Sequence, residues 1–378
     1  MRHVATRAVL SLALCGLASQ SLAQDIHEAA RAGDLATVSA LLVQDARLVD
    51  ARDERDCTPL HYAAGSGSTE LAELLIERGA TVDARNHEGQ TPLLWAALTG
   101  HRDVADLLIR QGADLESRED YGRTPLLLVA RETGNVEMGS LLITAGADVN
   151  ARDRFDATPL NLSAWRGYRG MVDLLLDNGA EVPTDPEGMP TYTRFAVEKG
   201  LTRLFEILVD AGADLGIRSE NGGSLLHSAS AGGSAEIVGI LLREGLAPDE
   251  QDRYGRTPLH YAAEKNRTAV LALLIDAGAD LDLRSLAGNT PLNSARANSR
   301  VAAVQVLEAR GADPSPPAFP ELAGPYFGQM PPGNEPLLFA PDIVSSHRFE
   351  HGTIAFSPDG REAFWSSSFE PADSGYTW

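Results

Sequence analysis

Two short apolar blocks alternate along most of the chain. The first is Thr58-Pro-Leu-His-Tyr-Ala-Ala64, and the second is Leu74-Leu-Ile-Glu-Arg-Gly-Ala-Thr-Val-Asp83. Each block is too short for a long helix, and its apolar spacing suits a brief helix with one buried face. The first block predicts its own start: a threonine cap followed by a proline in the first turn, where no backbone hydrogen bond is lost. A glycine such as Gly100 or Gly134 ends that helix. The Leu-Leu pair is the buried stripe of a second helix, which Gly79 or Gly112 stops in a left-handed cap. A polar turn such as Asn86-His-Glu-Gly89 then leads to the next unit.

The blocks recur with a fixed period. Starts equivalent to Thr58 stand at Thr91, Thr124, Thr158, Thr191, Ser224, Thr257 and Thr290, spaced by 33 residues except for 34 between Thr124 and Thr158. A degenerate copy begins near Asp25-Ile-His-Glu-Ala-Ala30, and the array reads as eight units. A single unit cannot bury its own apolar face, so the core must come from stacking. The unit at Thr191 departs most, with Tyr192 and Arg194 in place of the motif's Pro and His. Three prolines crowd its leading turn, Pro183 to Pro190, which marks a weak joint or bend.

The T-P-L-H-x-A-A and L-L-x-x-G-A-D blocks resemble the ankyrin-repeat family over residues 24–313. The resemblance implies an all-α solenoid of stacked helix-turn-helix units with hairpin-like turns. It also implies a concave protein-binding face made of turn tips and first-helix ends. Mapped onto that face, the candidate contact residues are Tyr121, Arg123, Arg131, Phe155, Trp165, Arg166, Tyr254 and Arg256. Aromatic and arginine side chains carry most hot-spot energy, which is why these stand out from the tips and helix ends. His61, His227 and His260 share the fourth position of the first block, where the resemblance implies a structural role between backbone and cap.

Composition narrows the function. The net charge of −21 argues against a nucleic-acid binder and against an anionic membrane surface, and favours basic partners. No Ser/His/Asp order, His-x-x-x-His pair or phosphate-type glycine loop appears, so no catalytic residue, metal or cofactor is expected. Acidic turn residues such as Glu119, Asp120 and Asp153 lack calcium-loop spacing and read as solvated. Cys57 has only Cys15 as a possible mate, and Cys15 lies in a segment expected to be removed. Cys57 therefore reads as a partly buried filler.

The two ends differ from the array. Residues 1–23 carry Arg2 and Arg7, an apolar run from Ala8 to Ala18 and a small-residue exit at Ser21 and Ala23. This is the pattern of a signal peptide, so the chain is expected to be exported to a periplasmic or extracellular space. No later segment is apolar enough to insert in a membrane, and a monomer is expected. Residues 314–341 hold nine prolines and read as a linker. Within 342–378, Phe356-Ser-Pro-Asp-Gly360 and Ala363-Phe-Trp-Ser366 resemble one blade of a PD40-type, TolB-like β-propeller (a WD40-like fold). One blade cannot close a propeller, so the sequence is expected to be part of a longer protein. The function expected is protein–protein interaction, by an exported scaffold or recognition protein with no enzymatic activity. The alternative is an interaction domain serving an enzyme or sensor encoded beyond residue 378.

Overall fold

The computed structural model describes residues 25–315 except residue 186, and two short extended backbone segments, Thr353–Phe356 and Ala363–Ser366. The signal segment and nearly all of the proline-rich linker lie outside the described residues. So does the turn between the two extended segments, and no hairpin is shown.

The array is built of helix pairs. In chain order they are α1 (25–32) and α2 (Leu35–Gln44), α3 (Pro59–Ser66) and α4 (Thr69–Glu77), and α5 (Pro92–Thr99) and α6 (Arg102–Arg110). Next come α7 (Pro125–Leu128) and α8 (Val136–Thr144), α9 (Pro159–Arg166) and α10 (Arg169–Asp177), and α11 (Met189–Lys199) and α12 (Thr202–Asp210). The last are α13 (Leu225–Gly232) and α14 (Ala235–Arg243), α15 (Pro258–Glu264) and α16 (Thr268–Asp276), and α17 (Pro291–Ala297) and α18 (Val301–Ala309). Among the described residues there are therefore nine pairs, not the eight expected. The copy near Asp25 folds as a full pair despite its degenerate sequence, because Ile26 and Ala30 bury completely against the next unit.

Sequence features explain the helices. Thr91, Thr124, Thr158 and Thr290 cap first helices by accepting from the backbone N–H three residues on. Second helices close as read: Gly79 takes φ +92°, its N–H donates to Ile76 and the N–H of Ala80 donates to Leu75. The core is continuous along the stack, with Leu60, Leu93, Leu126, Leu160, Leu226, Leu259 and Leu292 buried at the third position of successive first blocks. Cys57 is fully buried, not partly, and burial pushes its thiol up.

The single 34-residue spacing has a structural consequence. The extra residue is absorbed as a π-turn, Val129–Thr133, that extends α7. Such a bulge keeps both flanking faces in register at the cost of local hydrogen-bond geometry.

Two ladders tie neighbouring units together. The last acid or amide of the second block accepts from the backbone of the next unit: Asp50 from Thr81, Asp83 from Asp114, Glu116 from Asp148, Asn150 from Glu181, Asp249 from Asp280 and Asp282 from Asp313. The tips pair backbone to backbone, His87 to Arg55, Asp120 to Glu88, Arg154 to Tyr121, Arg253 to Asn221 and Leu286 to Tyr254. Both ladders stop around the Thr191 unit among the described residues. Pro183 and Gly216 stand where other units place the acceptor, and no tip bond reaches 183–190.

Candidate functional site

First helices pack more closely on one another than second helices do, so the stack curves with the first helices and tips on its inner side. The candidate contact residues lie on this side, in two groups.

The first group centres on the tips before α7 and α9. Tyr121 and Phe155 are 53% and 70% exposed and stack with ring centroids 6.5 Å apart. They come together because the Arg154 N–H donates to the Tyr121 carbonyl at 3.0 Å, fixing one tip against the next. Arg123 is different: it is only 8% exposed, with its guanidinium 4.6 Å from the Tyr121 ring centre and 3.7 Å from Asp153. It supports the stack from behind and reaches a partner only through that ring.

The tip acids are corrected by the structure. Glu119 and Asp153 were expected to be solvated, yet both are buried. Glu119 accepts from the N–H groups of Tyr121 and Arg123, and Asp153 from those of Phe155 and Ala157. Each carboxylate replaces solvent for backbone donors that a tight turn leaves unpaired, which holds the exposed rings in a fixed conformation.

Trp165 is 47% exposed near the end of α9. The Arg166 guanidinium lies 4.9 Å from its ring centre. The π-turn enters here: it presents the Arg131 carbonyl, which accepts from Arg166 Nε at 2.8 Å, and it places Glu132 between Arg131 (2.9 Å) and Arg166 (3.4 Å). The only sequence signal for this arrangement is the 34-residue spacing.

The second group lies at the tip before α15. Tyr254 is half-exposed, and Arg256 lies between the rings of Tyr254 and Tyr261, 5.1 and 4.4 Å from their centres. Asp252 is the hub: it accepts from Arg256 at 2.9 Å and from the Tyr261 hydroxyl at 2.8 Å. Burial alone would push Asp252 up, but hydrogen bonds from the Arg256 backbone, Tyr261 and the Arg256 guanidinium hold its carboxyl below the usual range. Burial and the bond to Asp252 push Tyr261 up to about 12. The Thr58 unit repeats the motif, with Tyr62 donating to Asp53 and accepting from Arg31.

The histidines hold the caps. His61 Nδ1 accepts from the Thr58 N–H at 3.1 Å while Nε2 faces the Gln90 carbonyl at 2.9 Å. This pairing fits a neutral ring carrying its proton on Nε2, bridging one unit to the next. His227 and His260 repeat it, onto Arg256 and Asn289. Burial lowers all three, to about 4 in His61 and His260.

Among the described residues, no group of three or more His, Cys, Asp or Glu side chains could hold a metal ion. No helix there is long and apolar enough to cross a membrane.

A family model described as ankyrin repeats matches the chain three times, over residues 26–119, 112–185 and 194–285. Together these segments cover well over half of the chain. The stretch they leave between 185 and 194 coincides with the break in both ladders. Comparison with curated proteins returns no significant match.

Proposed function

The chain belongs to the ankyrin-repeat family, whose repeats generally serve as protein–protein interaction modules, and we propose that it is an exported scaffold or recognition protein that captures a protein partner on its inner face. One observation carries this reading: the exposed rings of Tyr121 and Phe155 stack across neighbouring tips, backed by Arg123 and held from beneath by buried carboxylates, and the first helix that follows, α9, adds exposed Trp165 with Arg166 over its ring. Rigid aromatic and arginine side chains on a preorganised surface bind with little ordering cost. The export part rests on the basic start, apolar run and small-residue exit of residues 1–23. The Phe356-Ser-Pro-Asp-Gly360 motif favours a propeller-like segment after the array.

Trp165→Ala is expected to weaken partner binding by about 30-fold, corresponding to roughly 2 kcal/mol for a hot-spot aromatic. The check is to isolate a partner with the full chain as bait from an extracytoplasmic fraction, then titrate it against wild type and variant by calorimetry. Equal affinities would remove Trp165 from the contact surface.

A further inference from the structure

We propose that a notch on the inner face, between α11, α13 and α15, receives a single lysine or arginine side chain of the partner. The proposal rests on the reading of this face as protein-binding and gives the partner a chemical character.

The notch exists because α13 is small where its neighbours are large. The fourth position after the cap is Phe195 in the unit before and Tyr261 in the unit after, and large in all the earlier Thr-capped units, but Ser228 here; only the last unit, with Ser294, is also small. The seventh and eighth positions are Glu198 and Lys199 before it and Glu264 and Lys265 after it, but Ala231 and Gly232 here. These losses open a cavity of about 350 Å³, bounded by Glu198, Ser219, Asn221, Ser228, Gly232 and Tyr261. That is near the lower end of pockets that enclose whole small molecules, roughly 300–1,000 Å³. It is open on one side, which suits a protruding side chain.

Its chemistry favours a cation. Glu198 is exposed at the rim, and among the described residues its carboxylate has no hydrogen bond or ion pair. The Ser228 hydroxyl and the Asn221 side chain have no side-chain hydrogen bond there either, and Ser219 Oγ accepts from the Gly223 N–H, leaving its second lone pair free to accept. An arginine or lysine supplies only donors, which matches a carboxylate, hydroxyl oxygens and an amide oxygen. The nearby cations do not fill the place. Arg256 is neutralised by Asp252 at 2.9 Å, the Lys199 stem leans on Gly167, toward the preceding unit, and Arg267 crosses Gly233 to donate to the Ala231 carbonyl at 3.1 Å, so its guanidinium is tied to backbone at the edge. The formal charge of −21 adds a long-range attraction for a basic partner.

The test uses the full chain and a library of twelve-residue peptides, identical except for Arg, Lys, Gln or Glu at one central position on varied flanks. Arg- and Lys-centred peptides are expected to bind at least ten-fold more tightly than their Gln and Glu counterparts, with the preference shrinking as salt rises. Ser228→Tyr fills the notch with the residue α3 and α15 already carry, so it is expected to fold, as thermal unfolding will verify. Ser228→Tyr and Glu198→Gln are each expected to abolish the preference. A charge-blind or acid-selecting library, no peptide binding, or a preference that survives Ser228→Tyr overturns the proposal. If Trp165→Ala weakens partner binding while both notch variants leave it intact, the inner-face reading stands and the notch assignment alone falls.

Discussion

Acidification from pH 7 to pH 5 is expected to destabilise the array by about 2 kcal/mol for each of His61 and His260, with a further loss from His227. Unfolded histidine titrates near 6.5, whereas burial holds these two rings down to about 4. Between those values the unfolded chain binds more protons than the folded one, so stability falls with pH. The contribution is fully present above about pH 6.5 and is lost as the pH drops through the folded value near 4. Protonation would also place a proton on Nδ1, which now accepts from the Thr58 or Thr257 backbone. The chain contains its own control. Asn293 occupies the same position in α17, accepting from the Thr290 N–H through Oδ1 and donating to the Ser315 carbonyl through Nδ2. A His61→Asn/His260→Asn double variant should therefore keep the cap bonds without the titration. Urea unfolding at pH 7, 6 and 5 would show wild type losing stability steeply and the double variant much less. Parallel slopes would mean that these rings are not the titrating groups. Carboxylates such as Asp252, held low by their hydrogen bonds, add their losses only at lower pH.

Phe205→Ala is expected to cost roughly 3–5 kcal/mol and to split the array into two cooperative blocks. Phe205 in α12 is the largest fully buried side chain among the described residues. It sits in the unit where both inter-unit ladders stop, so packing carries most of the coupling there. In a stack whose stability is a sum of unit and neighbour terms, a cavity at the weakest interface lets one side open without the other. Hydrogen exchange read by mass spectrometry would show peptides from 225–313 exchanging together and earlier than those from 58–180. Uniform acceleration along the whole array would show that the joint at 183–190 remains coupled. The equivalent change at Leu108, in an interface with both ladders intact, should destabilise without splitting.

Some of the site was legible from residues and some was not. The exposed aromatics Tyr121, Phe155, Trp165 and Tyr254 could be placed by repeat position alone, because a fixed period assigns every residue to a face. Arg123 and Arg256 could not be separated from freely exposed arginines in this way. Their fate depends on Asp153 and Asp252, the first of which lies in the next tip and contacts Arg123 only once the units stack. Glu119 and Asp153 read as solvated because acids in turns usually are. Backbone donors trapped in a tight turn reverse that preference. The notch at Ser228 is a difference between three adjacent units, which no single motif displays.

The sequence by itself determined the unit. Caps, first-turn prolines, closing glycines and the Leu-Leu stripe are local signals, each acting within a few residues, and their period forces stacking because one unit cannot bury its own apolar face. What only the tertiary structure decided are relations across about 30 residues of chain: the ninth pair, the neutral bridging histidines, the contacts of Arg166 with Arg131 and Glu132 of the π-turn, and the interrupted ladders. These depend on distances between side chains of different units, and such distances come into being only when the stack closes and excludes water from between its layers.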